Sequence, residues 1–203
     1  MGDALGPSVP HTPAMTLLGA EPAAGPYTWQ DFIQLDEDDL RELIDGELLE
    51  VEVPKRIHEH IVAQIVGLSF VWARERDSGR VLGSGYKVRI TDKIGVMPDV
   101  QFYREENRAD LEQDDGLASG RPDLVVEVVS RSSRRSDRVT KLRWYASIGV
   151  PDYWVIDAEE RTVERLLLDG APPSLYKISD ASSEDEVFRP ASFDRLEIPL
   201  RDL

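Results

Sequence analysis

Residues 121–157 read RPDLVVEVVSRSSRRSDRVTKLRWYASIGVPDYWVID. The run 124–129 is apolar and rich in valine, which is typical of a buried strand, and 153–157 has the same character. Between the two runs, Ser136 is a suitable N-cap for a helix and Gly149 a suitable C-terminal stop. A strand, a crossover helix and a returning strand predict an α/β or α+β fold with a mixed central sheet.

The residues before this stretch predict a hairpin and a long helix. Asp45-Gly46 lies between apolar runs, which is the strongest short-range hairpin signal, and the returning strand is expected to continue through Val53. Residues 56–76 repeat apolar side chains at helical spacing. The buried stripe of this helix is predicted to be Ile57, Ile61, Ile65, Leu68 and Trp72. Other expected elements are a short helix after the Thr28 N-cap that runs through Leu35, strands at 80–82, 86–90, 97–103 and 162–168, a surface loop at 104–121, and an inward face of Val139, Leu142 and Ala146 on the crossover helix.

Composition limits the classes of protein and site. The chain of 203 residues has no cysteine, which excludes disulfides, thiolate nucleophiles and cysteine-ligated metals, and is consistent with a cytoplasmic protein. No apolar run is long enough to span a membrane. Residues 1–26 are rich in proline and glycine and lack the features of a secretory signal, so we predict a flexible tail followed by a single domain over 27–203.

The distribution of charge bears on nucleic-acid binding. The net charge of −15 argues against a tight general binder of polyanions. However, residues 36–52 have nine acids and one base, whereas residues 131–143 have six bases and one acid. The basic segment is where an anion would dock, although a solvated helix face explains most such runs.

Carboxylates are the candidates for chemistry, because the motifs of dinucleotide, P-loop, serine-hydrolase and zincin sites are absent. Glu127 lies within an apolar strand, so it needs a basic partner, a metal or a raised pKa, and a structural salt bridge is the alternative explanation. Asp99 follows Pro98 at a strand start, where turn chemistry is the alternative. Glu42 shares the apolar face of the hairpin and also needs a partner. His58 borders the buried stripe of its helix and is more simply explained as a core histidine than as a ligand.

These acids, with Lys141 on the crossover helix, suit a divalent cation such as Mg²⁺, which takes one or two carboxylates and retains several waters. A lysine beside such a site can orient or deprotonate a water for attack on phosphorus.

The sequence also resembles a known family over residues 27 to 200. The matching motifs, in the family's order, are 41–48 (RELIDGEL), Pro54 with His58, Pro98-Asp99, 122–130 (PDLVVEVVS), Lys141 with Tyr145, and 149–157 (GVPDYWVID). Together they resemble the Uma-two family of restriction-endonuclease-like proteins, a bacterial branch of the PD-(D/E)XK nuclease-like fold.

The resemblance implies a role for each candidate. Asp99 and Glu127 would be the metal-binding carboxylates and Glu42 an additional acid. The family pattern expects lysine two residues after Glu127, where this chain has Val129, and Lys141 on the following helix would replace it. Asp123 rivals Asp99, but it lies four residues from Glu127, about 13 Å along an extended strand, which is too far to share one ion.

The sequence therefore predicts a restriction-endonuclease-like fold with an N-terminal hairpin, and an Mg²⁺- or Mn²⁺-dependent endonuclease that hydrolyses DNA. The residues expected to contact the phosphate backbone are Arg131, Arg134, Arg135 and Arg138. The alternative is a catalytically silent nuclease-like fold that serves as a DNA- or protein-binding module. A homodimer and the absence of any membrane partner are further expectations.

Overall fold

The computed structural model describes residues 25–36, 39–51, 53–107, 121–129, 136–170 and 172–203. The predicted tail and most of the 104–121 loop lie outside these ranges. In chain order the helices and strands are α1 (Trp29–Ile33), β1 (Arg41–Ile44), β2 (Glu47–Glu50), α2 (Arg56–Arg76), β3 (Gly79–Gly83), β4 (Val88–Arg89), β5 (Gly95–Val96), β6 (Val100–Arg104), β7 (Leu124–Val129), α3 (Leu142–Ser147), β8 (Asp152–Asp157), β9 (Thr162–Leu168), β10 (Tyr176–Ser183), β11 (Val187–Phe188) and β12 (Ile198–Pro199). A π-helical turn, Ser136–Lys141, leads directly into α3.

A six-stranded mixed sheet of order β10-β9-β8-β7-β6-β3 forms the centre of the fold. Strands β7 and β8 pair in parallel, and the other pairs in this sheet are antiparallel. The parallel pair needs a long crossover, which the π turn and α3 provide. The predicted mixed sheet is confirmed.

The two faces of this sheet have different covers. On one face, α2 packs Ile61, Ile65 and Trp72 against strand residues that include Phe102 and Val126. On the other face, α3 and the small sheet of order β2-β1-β5-β4 cover a second core. That second core consists of Val88, Val96, Val125, Val129, Tyr145, Val150, Tyr153, Val155 and Leu166. Side chains of a strand alternate between faces, so Glu127 belongs to the second face.

Helix α2 has the predicted bounds, and its buried residues confirm most of the predicted stripe. Ile57 is an error in that prediction, because its side chain is 42% exposed in the first turn of the helix, before α2 reaches the sheet. The helix ends at Asp77, whose left-handed conformation allows its N–H to bond back to the Ala73 carbonyl.

The predicted hairpin forms around Asp45-Gly46, with both residues at positive φ, and Glu42 faces Leu49 across it. The returning strand is shorter than predicted, because β2 ends at Glu50 and the side chain of Val53 is 86% exposed. Strand β2 lies at the edge of the small sheet, and three of its four side chains are exposed.

Three other element boundaries differ from expectation. The predicted 97–103 strand begins only at Val100, because Pro98 has no N–H for a ladder and the chain changes sheets between β5 and β6. The predicted helix from Ser136 begins as a wider π turn, which rotates its residues relative to an α-helix and leaves Val139 exposed rather than inward. The Thr28 capping box forms as expected, but α1 ends at Ile33. Among the described helices, none combines the length and apolar character needed to cross a membrane.

Candidate active site

Two adjacent strands bring Asp99 and Glu127 together. Strands β6 and β7 pair with Val100 opposite Val126, so Asp99, which directly precedes β6, lies beside Glu127 where this ladder ends. The backbone N–H of Val128 donates to Asp99 Oδ2 at 2.7 Å, which fixes the aspartate beside the glutamate. The register of two strands therefore produces a carboxylate pair that is separated by 28 positions in the sequence.

Lys141 reaches this pair from the crossover helix. Its Nζ lies 3.3 Å from Glu127 Oε1 and 3.4 Å from Glu127 Oε2. The position two residues after Glu127 holds Val129, which is buried in the second core. Lys141 therefore contacts Glu127 from the crossover helix, while position 129 holds a buried valine.

Tyr145 binds the same carboxylate. Its hydroxyl donates to Glu127 Oε1 at 2.7 Å, and burial raises the pKa of Tyr145 well above its usual value, so the hydroxyl keeps its proton and remains a donor. Sequence reasoning missed this role, although the spacing to Lys141 could have revealed it. Residues four apart share one helix face, so a side chain that accompanies Lys141 to Glu127 is expected at position 145.

Glu42 joins the hairpin to the site. Its Oε1 accepts the backbone N–H of Met97 at 3.0 Å and lies 3.4 Å from Lys141 Nζ. Lys141 and Glu42 have side chains that are 12% exposed, and that of Glu127 is 4% exposed, so water screens these charges only weakly. The predicted need of Glu42 for a partner is met by Lys141, which lies between two carboxylates.

His58, near the N-terminus of α2, contacts the other acid. Its Nε2 lies 3.3 Å from Asp99 Oδ2 and its Nδ1 lies 3.3 Å from Glu59 Oε1. The hydrogen bond to Asp99 raises the pKa of His58 above its usual value. The histidine is therefore half-buried and partnered, at the edge of the carboxylate pair.

Asp123, the rival of Asp99, lies apart from this cluster. It precedes β7 at the opposite end of the strand, where it accepts the N–H of Arg104 at 2.8 Å and the side-chain amide of Asn107 at 2.9 and 3.0 Å. Asp123 therefore closes the turn that follows β6.

Of the four predicted backbone-contacting arginines, Arg138 lies within the described residues, and Arg131, Arg134 and Arg135 lie outside them. Arg138 forms a partly buried ion pair with Glu164 of β9. Glu164 faces Val155 of β8, and Val155 faces Glu127 of β7, so Arg138 lies two strands from the site on the same face of the sheet.

The donor set fits a hard divalent cation that keeps most of its own water. Within the described ranges, no three His, Cys, Asp or Glu side chains group closely enough to enclose a metal. Mg²⁺ does not require such a cage, because it binds through one or two carboxylates together with waters and substrate phosphates. Among the described residues, both side-chain contacts of Asp99 are to Oδ2.

Comparisons with known proteins identify the family and the fold of this chain. The Uma2 family, described as "Putative restriction endonuclease", matches residues 29–201. No curated protein matches the sequence. A solved structure, that of "a putative nuclease belonging to DUF820 from Anabaena variabilis ATCC 29413", superposes with a TM-score of 0.67 at 19% identity, over 87% of this chain and 97% of that one. At this identity the likeness concerns the fold, and it confirms the predicted nuclease-like architecture. The family match covers most of the sequence, and the chain belongs to the Uma2 family.

Proposed function

We propose that the protein is a metal-dependent endonuclease that hydrolyses phosphodiester bonds in DNA. The observation that supports this most directly is the approach of Lys141 to Glu127 beside Asp99. Two carboxylates and a lysine beside the inner strands of a mixed sheet are suited to phosphodiester hydrolysis, and the family description points to nuclease chemistry.

In this proposal Asp99 and Glu127 would hold Mg²⁺ or Mn²⁺. The bound ion would neutralise charge on the phosphate and make a coordinated water easier to deprotonate. The protein's own part is to present two carboxylates on rigid neighbouring strands, where the Val128 N–H fixes Asp99 and the Tyr145 hydroxyl fixes Glu127.

Lys141 would orient the attacking water and stabilise negative charge on the phosphate. Glu42 acts through Lys141: its carboxylate accepts the Met97 N–H and attracts the ammonium, which also lies beside Glu127. The ammonium is thereby held at a defined position in a weakly screened site, where its charge has a larger effect than in water.

The DNA backbone would meet the basic segment, with Arg131, Arg134, Arg135 and Arg138 as the proposed contacts. The overall charge of −15 opposes a polyanion, so binding should be weak and strongly dependent on salt.

A supercoiled-plasmid nicking assay with Mg²⁺ or Mn²⁺ tests the proposal. The wild type should convert plasmid to the open-circular form only when the ion is present, while Asp99→Ala and Lys141→Ala should be inactive. Equal nicking by the wild type and both variants would place the activity elsewhere and contradict the assignment.

A second candidate function is a binding module without catalysis, and one observation favours it. Lys141 already neutralises Glu42 and Glu127, so the acids could be retained as a buried polar network. This alternative predicts no thermal shift with Mn²⁺. A melting temperature that rises with Mn²⁺, and rises less in Glu127→Ala, would contradict it and favour the metal-dependent enzyme.

Tyr145→Phe should lower both the affinity for Mn²⁺ and the rate of plasmid nicking by about tenfold to a hundredfold, the usual effect of removing a hydrogen bond to a metal ligand. The ring remains to fill the second core, so the melting temperature should change little. Mn²⁺ binding can be followed by the electron paramagnetic resonance of the free ion. Unchanged Mn²⁺ affinity in a folded variant would show that the hydroxyl does not position Glu127 as a ligand.

A further inference from the structure

Helix α2 has an uncovered apolar stripe on the side that faces away from the sheet. Phe70 is 51% exposed and Val71 54% exposed, and Ala63 and Gly67 are exposed beside them. At 3.6 residues per turn these positions fall on one face, opposite the buried face that contains Ile65. Such an apolar surface on the longest described helix is typical of a contact with another molecule.

Gly67 lies at the centre of this stripe, and the described part of the chain makes no contact there that requires a glycine. A Cβ at this position would meet nothing within 4 Å. Glycine in a helix interior is less stable than alanine by about 1 kcal/mol. Its effect here is to let a second backbone approach the helix closely, as small residues do at helix–helix contacts.

The residues on either side of Gly67 are complementary to each other, so two copies of α2 can pair in antiparallel orientation about this position. Ala63 precedes Gly67 by four residues and Val71 follows by four, so a small side chain faces a larger one across an antiparallel pair. Glu59 lies eight residues before Gly67 and Arg74 seven after, about 12 Å and 10.5 Å along the axis. An antiparallel copy therefore brings an acid of one helix near a base of the other, at both ends of the contact.

We propose that α2 packs antiparallel against α2 of a second copy of this chain, with a two-fold axis beside Gly67. A two-fold contact joins identical surfaces, and for that reason the self-complementary order favours a second copy over an unrelated partner. Phe70 and Val71 supply the apolar centre, and two symmetric Glu59–Arg74 pairs flank it. The proposal does not depend on the nuclease function, because Gly67, Phe70, Val71 and Arg74 lie outside the carboxylate cluster. Glu59 reaches that cluster only through His58.

Sedimentation velocity over a wide range of protein concentrations tests the interface. The wild type should associate to a dimer. Gly67→Lys should weaken the dimer at least tenfold, because two ammonium groups would face each other at the axis. Lysine is a better helix former than glycine and meets open space, so this variant should fold at least as stably as the wild type.

A charge exchange tests the orientation. Arg74→Glu and Glu59→Arg should each weaken the dimer by about tenfold or more, since each creates two like-charged contacts, and the double variant should restore it. Ile178→Lys serves as the control, because Ile178 is 64% exposed on the sheet edge far from α2 in the topology, and it should leave the dimer intact. A wild type that stays monomeric, a dimer unaffected by Gly67→Lys, a dimer lost in Ile178→Lys or a double variant as weak as the single ones would each overturn the proposal.

Discussion

Glu127→Gln should reduce metal-dependent nicking by about 10³-fold or more, which corresponds to about 4 kcal/mol of transition-state stabilisation. The amide has the shape of the carboxyl and its oxygen can still accept the Tyr145 hydroxyl, so the fold should persist. What is lost is the negative charge that would bind the ion and that attracts Lys141 at 3.3 Å. The thermal shift with Mn²⁺ should disappear together with the activity.

Asp123→Asn is the matched control for this experiment. It removes an equally buried carboxylate charge next to the same strand, but at the end where the acid closes a turn with Arg104 and Asn107. Nicking, measured below the melting temperature of each variant, should stay within about threefold of the wild type, since a residue far from the chemistry contributes no transition-state contact. If Asp123→Asn were the inactive variant and Glu127→Gln the active one, the metal site would lie at the opposite end of β7.

The fold could be predicted where local pattern determines structure. The run 124–129, the helical spacing over 56–76 and the Asp45-Gly46 turn each specify an element within a few residues of chain, and all three formed with the expected type. Exposure was harder to predict. Val53 and Val139 are apolar residues in apolar patterns, yet both are exposed, because an edge strand and a π turn depend on neighbours that the local sequence does not encode.

In the candidate site, too, local sequence identifies some residues, whereas the proximity of others depends on how distant elements pack. Glu127 was identifiable because an acid within a valine-rich strand is costly and needs a reason. Its proximity to Asp99 depends on the register of β6 against β7, which sequence spacing does not reveal. The resemblance to a family supplied Asp99 as the candidate, and the length of an extended strand set Asp123 aside. The position of Glu42 beside Lys141 also depends on how the hairpin sheet packs on α3.

Arg165→Met should destabilise the fold by about 3–5 kcal/mol at neutral pH, the usual cost of breaking a buried ion pair from one side. Arg165 is 1% exposed and donates to Asp152 from Nε at 3.1 Å and from Nη2 at 2.7 Å. Nη2 also bonds the Ser192 hydroxyl, and Trp154 Nε1 donates to Asp152 at 2.7 Å. This network ties the C-terminal segment to the core, and it escaped the sequence analysis because Arg165 meets Trp154 and Asp152 only through the register of β8 and β9.

The decrease in the free energy of unfolding caused by Arg165→Met should also depend on pH. Burial already raises the pKa of Asp152 above its usual value, and Arg165 opposes that rise. Without the guanidinium the folded-state pKa rises further above that of the unfolded chain. A carboxyl whose pKa is raised by folding makes the folded protein less stable as the pH increases from its unfolded to its folded pKa value. The stability difference between Arg165→Met and the wild type should therefore be smaller at about pH 5 than at about pH 7.

Urea unfolding at both pH values, with the free energy taken from linear extrapolation, measures these effects. Adding Asp152→Asn to Arg165→Met should recover at least about 1 kcal/mol at neutral pH, because the asparagine oxygen still accepts from Trp154 while the unpaired buried charge is gone. Arg189→Met is the control: its pair with Glu197, at 2.8 Å, is exposed on both sides, and its loss should cost less than about 1 kcal/mol. A loss in Arg165→Met no larger than in Arg189→Met, or a double variant less stable than Arg165→Met alone, would show that Asp152 is not a charge that depends on Arg165 in the folded protein.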